Sequence, residues 1–261
     1  MKAHLQSLTV LLAALALVGT WAEAGGRVDV PFDAGNFSDP LTIDNPYWPL
    51  AAGTAFVYRT AAEEDCEVND VEVTSSTRSI AGVMTREIHD RVWEDGDCDG
   101  DRDALLENTL DWYAQDDDGN VWYFGELTGE ATTGCVPVDP GDCDSAGSWE
   151  AGADVAGIGS NAEAGIIMLA DPTPGDFYQQ EFYAGEAEDE GKVLRLDARV
   201  SLVSDNEIDP DQFTDCLETK ETSPLEPGAV EHKYYCREVG LVLIESLHGG
   251  TERTELVGII D

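Results

Sequence analysis

The chain has 261 residues, of which 42% are apolar, and its 54 acidic against 14 basic residues give a formal net charge of −40. The apolar share is sufficient for a packed core, and six Trp, seven Phe and eight Tyr exclude a disordered chain. The negative surface excludes nucleic acid and anionic membranes as partners. Abundant Asp and Glu with scarce Lys resemble proteins of saline habitats and predict halophilic adaptation, because salt screens the self-repulsion of such a surface.

Residues 1–24 have the pattern of a signal peptide. Lys2 and His4 give a weakly basic start, and the apolar run SLTVLLAALALVG that follows is too short to span a bilayer. Ala22 and Ala24 occupy the small-residue positions before a cleavage site. We therefore expect a secreted or periplasmic protein without membrane insertion.

Residues 25–53 are rich in Gly, Pro, Asp and Asn and predict an irregular N-terminal arm. The arm ends in NPYWPLAAGT, where the prolines exclude a regular helix. We expect Tyr47 and Trp48 to close an edge of the core rather than to bind a ligand.

Residues 54–261 predict a single antiparallel β domain, because short strand-like runs alternate with Gly, Asn and Asp turns. The runs are TAFVYRTAA, VEVTSSTRSI, VMTREIHDRVW, ENTLDWYAQ, NVWYFGE, AGIIMLADPTPGD, FYQQEFYAG, KVLRLDARVSLV and three or four more after residue 215. In KVLRLDARVSLV, Val193 and Arg195 share one side by strict alternation. The third run also fits a helix, since Met84, Ile88 and Val92 have helical spacing.

The predicted fold class is all-β: an antiparallel meander of about ten strands that forms a single large curved sheet, half-barrel or sandwich with long acidic loops. A hairpin is expected at QDDDGN, where an Asp-Gly pair separates two aromatic strands. Asp116, Asp118 and Asn120 alternate there, but the glycine comes too early for a calcium loop. A plain turn is the favoured interpretation.

Six cysteines in an exported chain favour three disulfides over a metal site, because none forms a Cys-x-x-Cys pair. Cys216 and Cys236 are placed symmetrically about the PLEPG turn, and a hairpin would bring them opposite each other. Cys135–Cys143 would close a short loop. The remaining pair, Cys66–Cys98, falls in turns at the same end of a meander. Fifteen pairings are possible, and this is the one that the topology favours.

Four segments resemble a family of uncharacterised exported bacterial proteins: NPYWPL, DWYAQDDDGNVWYFGE, GDFYQQEFYAGEAED and SPLEPGAVEHKYY. The resemblance extends over most of the chain from about residue 45. It implies an antiparallel β fold and favours a strand at residues 83–93, but it implies no activity and no catalytic residue. Members of the family join the strands around residue 95 by a short tip, whereas this chain has a longer tip with Cys98 and several aspartates.

The longer tip, WEDGDCDGDRDALLE, resembles the front of a calcium-binding loop. The first five ligand positions of an EF-hand pattern hold aspartate, and its sixth position holds Gly100. The back of the pattern differs, because Leu106 stands where the last ligand is expected. The candidate Ca²⁺ ligands are Asp95, Asp97, Asp99, Asp101, Asp103 and Glu107. The alternative is a solvated acidic turn of a salt-adapted protein.

No HExxH, GxSxG, P-loop or dinucleotide-binding motif occurs in the sequence. Two hypotheses follow. The first is a non-catalytic exported protein, stabilised by disulfides and calcium, that binds a small molecule, a glycan or a protein. The second is a secreted hydrolase that uses acidic residues, for which Glu181 and Glu186 are nominated. A deep pocket with two close carboxylates, one with a raised pKa, would favour the hydrolase, and a shallow aromatic groove would favour the binding protein.

Overall fold

The computed structural model describes residues 25–61, 66–204, 207–208, 211–247 and 252–260, so the expected signal peptide lies outside the described residues. The described chain contains one 3-10 helix, Ala34–Asn36, and sixteen strands. The strands are β1 Ile43–Asn45, β2 Trp48–Leu50, β3 Ala55–Ala61, β4 Cys66–Ile80, β5 Val83–Asp95, β6 Ala104–Gln115, β7 Val121–Leu127, β8 Trp149–Glu150, β9 Glu163–Met168, β10 Phe177–Gln179, β11 Glu181–Phe182, β12 Glu190–Ser201, β13 Gln212–Thr222, β14 Glu231–Cys236, β15 Gly240–Ser246 and β16 Glu252–Ile260.

Fourteen of these strands form one antiparallel sheet, which confirms the predicted fold class. The order is β10-β12-β13-β14-β15-β16-β3-β4-β5-β6-β7-β9-β11, and β8 pairs with β7. Most neighbours are consecutive in sequence, as a meander requires, and β16 closes onto β3. Because strands twist in one direction, so long a sheet curls, and here it approaches a closed barrel. Its concave face encloses the core.

Residues 83–93 lie in a strand, and the helical alternative is wrong. β5 pairs on one side with β4 and on the other with β6. A helical face would bury Met84 together with Ile88, but Met84 is 42% exposed and Ile88 is 2% exposed. The backbone hydrogen bonds of two neighbouring strands therefore override the helical spacing.

A β-bulge in β12 changes the predicted alternation. The pairing of β12 with β13 shifts register between Val193 and Arg195. Val193 is consequently buried, whereas Arg195 is exposed, although strict alternation puts both on one side. An extra residue in one strand reverses the faces beyond it.

The N-terminal arm covers the outside of the barrel. Phe32 and Phe37 pack edge-on against Trp122 and Phe124 of β7, with ring centroids 5.7 to 6.1 Å apart. β7 is therefore buried on both faces, which explains its continuous apolar run. The arm is less irregular than expected, because β1 and β2 pair as a small antiparallel ribbon.

Three disulfides are present: Cys66–Cys98, Cys135–Cys143 and Cys216–Cys236. These are the pairs that the meander topology favours. Disulfides persist in oxidising compartments, so they indicate an extracytoplasmic location. Among the residues that the structure describes, no helix has the length and apolarity that a membrane crossing requires.

Candidate functional site

The first candidate site is the tip between β5 and β6, where Asp95 organises the backbone. Its side chain is buried, and its two carboxylate oxygens accept hydrogen bonds from the backbone N–H groups of Asp99 (3.0 Å) and Gly100 (2.8 Å). The loop passes through Gly100 with φ +92°, a conformation that favours glycine. The carboxylate and the loop backbone thus hold each other in place.

Three of the six predicted calcium ligands come together at this tip. One carboxylate oxygen from each of Asp95, Asp97 and Asp99 lies within 4.8 Å of the others. Repulsion from Asp99 is the largest cause that raises the pKa of Asp97. A cation bound among the three would relieve this repulsion.

The other predicted ligands lie apart from this group. Asp103 accepts a hydrogen bond from the backbone N–H of Gly96 (3.0 Å), and Asp101 is exposed. Glu107 lies inside β6 opposite Val92, where the Thr109 hydroxyl donates to its carboxylate (2.7 Å). Glu107 therefore belongs with the acidic residues of the barrel interior.

The QDDDGN segment forms the hairpin turn between β6 and β7. The Asp116 carboxylate accepts hydrogen bonds from the backbone N–H groups of Asp118 (3.0 Å) and Asn120 (2.8 Å), from the Asn120 side chain (2.9 Å) and from the Trp122 indole (2.8 Å). Four donors occupy this carboxylate, so the group serves the turn and not a cation.

The second candidate site is a cavity of about 240 Å³ in the barrel interior, which we call the central cavity. Side chains from both limbs of the curved sheet line it: β6 and β7 on one limb and β13 and β14 on the other. Curvature therefore brings together strands that are far apart in the sheet order. Its lining residues are Trp48, Tyr113, Tyr123, Glu126, Ile167, Gln180, Glu181, Asp189, Glu221, Lys233, Tyr235 and Leu241.

Aromatic rings form one wall of the central cavity. Tyr113 and Tyr123 stack with centroids 4.7 Å apart. Trp48 reaches in from the arm and contacts Tyr113 (5.9 Å) and Tyr235 (5.5 Å). Tyr47 is buried in the core, as expected for a residue that closes its edge, whereas Trp48 faces the cavity as well.

Carboxylates also line the cavity, and Lys233 forms an ion pair with only one of them, Glu221. The Lys233 ammonium lies 2.8 Å from Glu221, which lines the cavity, and 3.4 Å from Glu231. Burial alone would raise the pKa of Glu221, but Lys233 and the hydrogen bonds around the carboxylate more than offset this and lower it. Burial lowers the pKa of Lys233, and the carboxylates around the ammonium reverse that shift and raise it. Glu221 and Lys233 are therefore both ionised at neutral pH.

The remaining carboxylates of this lining bind protons more tightly than usual. Burial, followed by repulsion from Asp189, raises the pKa of Glu181 to about 7, although the Trp149 indole donates to it (3.0 Å). Burial and repulsion from Asp111 raise the pKa of Glu126 well above its usual range. Burial likewise raises the pKa of Asp189. These three groups form no ion pair with any described residue.

An adjoining cavity of about 240 Å³ shares Trp48, Tyr113, Lys233 and Leu241 with the central one. Two further buried acids line it. Burial raises the pKa of Asp90 well above its usual range, and burial raises the pKa of Asp111 to about 7 even though Tyr123 donates to it (2.6 Å). The acidic interior therefore continues from β13 across to β5.

Two buried hydrogen-bond donors of the central cavity have no protein partner. These are the Trp48 indole nitrogen and the amide nitrogen of Gln180, a residue that is only 2% exposed. Native proteins leave few buried donors unpaired, because each such group costs about 1–3 kcal/mol. A ligand atom or a water molecule that accepts hydrogen bonds could pair with these two donors.

Sequence reasoning nominated one carboxylate of this cavity and missed the others. Glu181 lines the central cavity, and Glu181 and Glu186 together line a neighbouring cavity of about 540 Å³. Glu126 could have been suspected, since it is a lone acid at the end of the apolar run VWYFGE. Nothing in the sequence distinguishes Asp189 or Glu221 from the other acidic residues.

No family model matches the chain, and no curated protein matches it. One solved structure is similar, that of a protein described as a "putative lipoprotein" from Parabacteroides distasonis. It has 12% identity and a TM-score of 0.44, and the match covers 83% of this chain and 99% of that chain. This likeness is too distant to carry an argument about function.

Proposed function

We propose that this chain is an exported, disulfide-stabilised binding protein that holds a small ligand in the central cavity. The pair of unpartnered donors, Trp48 and Gln180, carries this proposal. A ligand atom that accepts from them would remove the cost of two buried and unpaired groups. The cavity also has the composition of a binding site, with aromatic walls and a few placed polar groups.

A screen by thermal unfolding tests the binding function. The protein without residues 1–24 would be tested oxidised, at fixed sodium chloride, with amino alcohols, amino sugars, neutral sugars and amino acids. A bound ligand raises the stability by about 2.7 kcal/mol at a hundredfold excess over its Kd. We expect at least one compound to stabilise the protein and to lose its effect in Gln180→Leu, which keeps the volume of the side chain but removes the amide. If none of these compounds acts through the cavity, the binding function is refuted.

We also propose that the tip between β5 and β6 holds Ca²⁺ through Asp95, Asp97 and Asp99. The proximity of the three carboxylates supports this proposal, together with the glycine-assisted loop around Asp95. Backbone carbonyls and water would complete the six to eight oxygen ligands that Ca²⁺ takes. The ion would then stabilise the rim of the barrel next to the Cys66–Cys98 disulfide.

Thermal unfolding in EDTA, in calcium and in magnesium tests the ion site. We expect calcium to raise the melting temperature more than an equal concentration of magnesium does, and the double variant Asp97→Ala/Asp99→Ala to abolish the difference. Asp116→Asn at the other hairpin, where the protein already occupies the carboxylate, should leave the calcium response intact. An equal response to both ions would identify the aspartates as generic acidic surface.

A secreted hydrolase is the second candidate, and the pair Asp111 and Glu126 favours it. The two residues are directly opposite each other on β6 and β7, and both have raised pKa values. This meets the criterion of a deep pocket with two close carboxylates. The hydrolase ranks second because Asp111 lines the adjoining cavity and Glu126 the central one, so one scissile bond would not lie between them.

Turnover of nitrophenyl glycosides or esters distinguishes the second candidate from the first. A hydrolase would release nitrophenol with multiple turnovers and would lose this activity in Glu126→Gln. A binding protein would show no turnover in either form.

A further inference from the structure

The charges around the central cavity do not balance. Among the described residues, Lys233 is the only basic one that lines it, and its ammonium lies against Glu221 and Glu231. Glu126, Glu181 and Asp189 form no direct ion pair with a described residue, although Lys233 lowers the pKa of Glu181 and Asp189 from a greater distance. A buried carboxylate without a partner is costly, so a positive charge in the cavity would stabilise all three.

The arrangement of these carboxylates does not suit a metal ion. Within the described part of the chain, only Asp95, Asp97 and Asp99 bring three ligand oxygens within 4.8 Å of one another. The interior acids that the structure describes do not form such a group of three. Metal ions require oxygens that converge on one point, whereas an organic cation can place its charge near several separated carboxylates.

The aromatic wall adds a second feature that favours an organic cation. The rings of Trp48, Tyr113 and Tyr235 are neighbours in the lining of the same cavity. A cation near the face of Trp or Tyr is attracted by the ring quadrupole, and this attraction strengthens in a site shielded from water. Carboxylates and rings together thus surround the position of a positive charge.

The donors on Gln180 and Trp48 require a different part of the ligand. An ammonium group cannot accept a hydrogen bond, so these donors need a hydroxyl or carbonyl oxygen. Gln180 and Glu181 are adjacent in sequence and line the same cavity, so the two requirements apply to one molecule. The central cavity of 240 Å³ has the volume of roughly eight water molecules, enough for a small compound, and it shares lining residues with both neighbouring cavities.

We infer that the central cavity binds a small organic ammonium compound that carries a hydroxyl or carbonyl oxygen, such as an amino alcohol or an amino sugar. The ammonium group lies among Glu126, Glu181 and Asp189, and its oxygen accepts from Gln180 or Trp48. This inference rests on the proposed binding function and names the ligand class of that site.

Proton release provides an independent signature of this ligand class. Without a cation, burial and repulsion from Asp111 raise the pKa of Glu126, and burial and repulsion from Asp189 raise the pKa of Glu181 to about 7, so that Glu181 is partly protonated at neutral pH. An ammonium group favours their ionised forms and displaces the protons. The charged and titratable groups that face these two residues are Glu107, Asp111, Tyr123, Asp189 and Lys233.

Isothermal titration with matched probes tests the inference. D-glucosamine and ethanolamine carry the ammonium, while D-glucose and ethylene glycol keep the hydroxyls without it. We expect at least one amine to bind at least tenfold more tightly than its neutral partner. At pH 7, the binding enthalpy should change with the ionisation enthalpy of the buffer, as proton release requires.

Two isosteric variants place the binding in the cavity. Glu126→Gln and Glu181→Gln keep the shape of the side chain but remove its charge, and the amide oxygen at position 181 can still accept from the Trp149 indole, so amine affinity should fall at least tenfold in each. Asp197→Asn makes the same charge change at an exposed position on β12 and should leave affinity within twofold.

Three results would overturn the inference. Equal binding of glucosamine and glucose through Gln180 would identify a neutral sugar site and leave the binding function standing. Amine binding that Asp197→Asn weakens as much as Glu181→Gln does would identify general surface attraction. If neither amine binds while another compound binds through Gln180, ammonium ligands are excluded and the binding function still stands.

Discussion

Replacing Lys233 with methionine removes the only positive charge that the described residues place in the lining of the central cavity. Methionine keeps the apolar stem of the side chain, so packing changes little. The Glu221 carboxylate, on a residue that is 7% exposed, keeps hydrogen bonds from Thr219 and Tyr235 on one oxygen (2.9 Å each). Its other oxygen loses the ammonium at 2.8 Å.

Removing one member of a buried ion pair costs about 3–5 kcal/mol. Because Glu221 keeps two hydrogen bonds, we expect Lys233→Met to lower the free energy of unfolding by about 3 kcal/mol near pH 8, the lower end of this range. This is a large part of the 5–15 kcal/mol that typically stabilises a domain.

The loss should depend on pH in a defined direction. Without Lys233, burial raises the pKa of Glu221 above its unfolded value. The folded variant then binds a proton more tightly than the unfolded chain, so its stability falls as pH rises through the range between the two pKa values. We therefore expect a smaller difference from the wild type near pH 4 than at pH 8.

Urea unfolding of the oxidised protein at fixed sodium chloride measures these quantities. The double variant Lys233→Met/Glu221→Gln serves as the control, because a neutral amide at position 221 no longer needs the ammonium. The free energy of unfolding of the double variant should lie within about 1 kcal/mol of that of the single variant Glu221→Gln. An unchanged stability of Lys233→Met at pH 8, or no recovery in the double variant, would show that the cavity is more hydrated than its burial indicates.

Two further changes test the interior and the disulfides. Asp111→Asn should raise the free energy of unfolding at pH 8 on the order of 4 kcal/mol and change it little near pH 4. The pKa of Asp111 is raised from 3.8 to about 7, so the cost of ionising it in the folded state grows as the pH rises between these values and is complete above about 7. Parallel pH–stability curves for variant and wild type would contradict this. Replacing Cys66 and Cys98 with serine should lower the free energy of unfolding in urea by about 3.7 kcal/mol, and replacing Cys135 and Cys143 should lower it by about 2.5 kcal/mol. The first loss is larger because that disulfide joins residues 32 positions apart, whereas the second joins residues 8 positions apart. Equal losses would point to strain or to residual structure in the unfolded chain.

The aspartate cluster at the tip was predictable only in part, because the spacing of the residues is local but their convergence in space is not. Alternating aspartates and Gly100 are visible in the sequence, and the structure brings Asp95, Asp97 and Asp99 together. Glu107 was expected to be a Ca²⁺ ligand. Its place in β6 opposite Val92 depends on the strand pairing, which holds it away from the tip.

The central cavity could not have been predicted, because its parts are scattered along the chain. Glu126 and Glu221 are separated by almost a hundred residues, and they line one cavity because the sheet curls. Trp48 joins them from an arm that the sequence describes as irregular. Among 54 acidic residues, burial is what separates a functional carboxylate from a solvated one, and burial is a property of the closed sheet.

By itself, the sequence determined the all-β meander, because turn residues and period-two patterns act over a few neighbours. The tertiary structure alone decided that residues 83–93 are a strand, since the partners of β5 come from both flanking strands. It also decided which carboxylates face inward, where one bulge reverses the faces of a strand. Charge in a protein acts through distance and solvent exposure, and both are set only when the sheet closes around its interior.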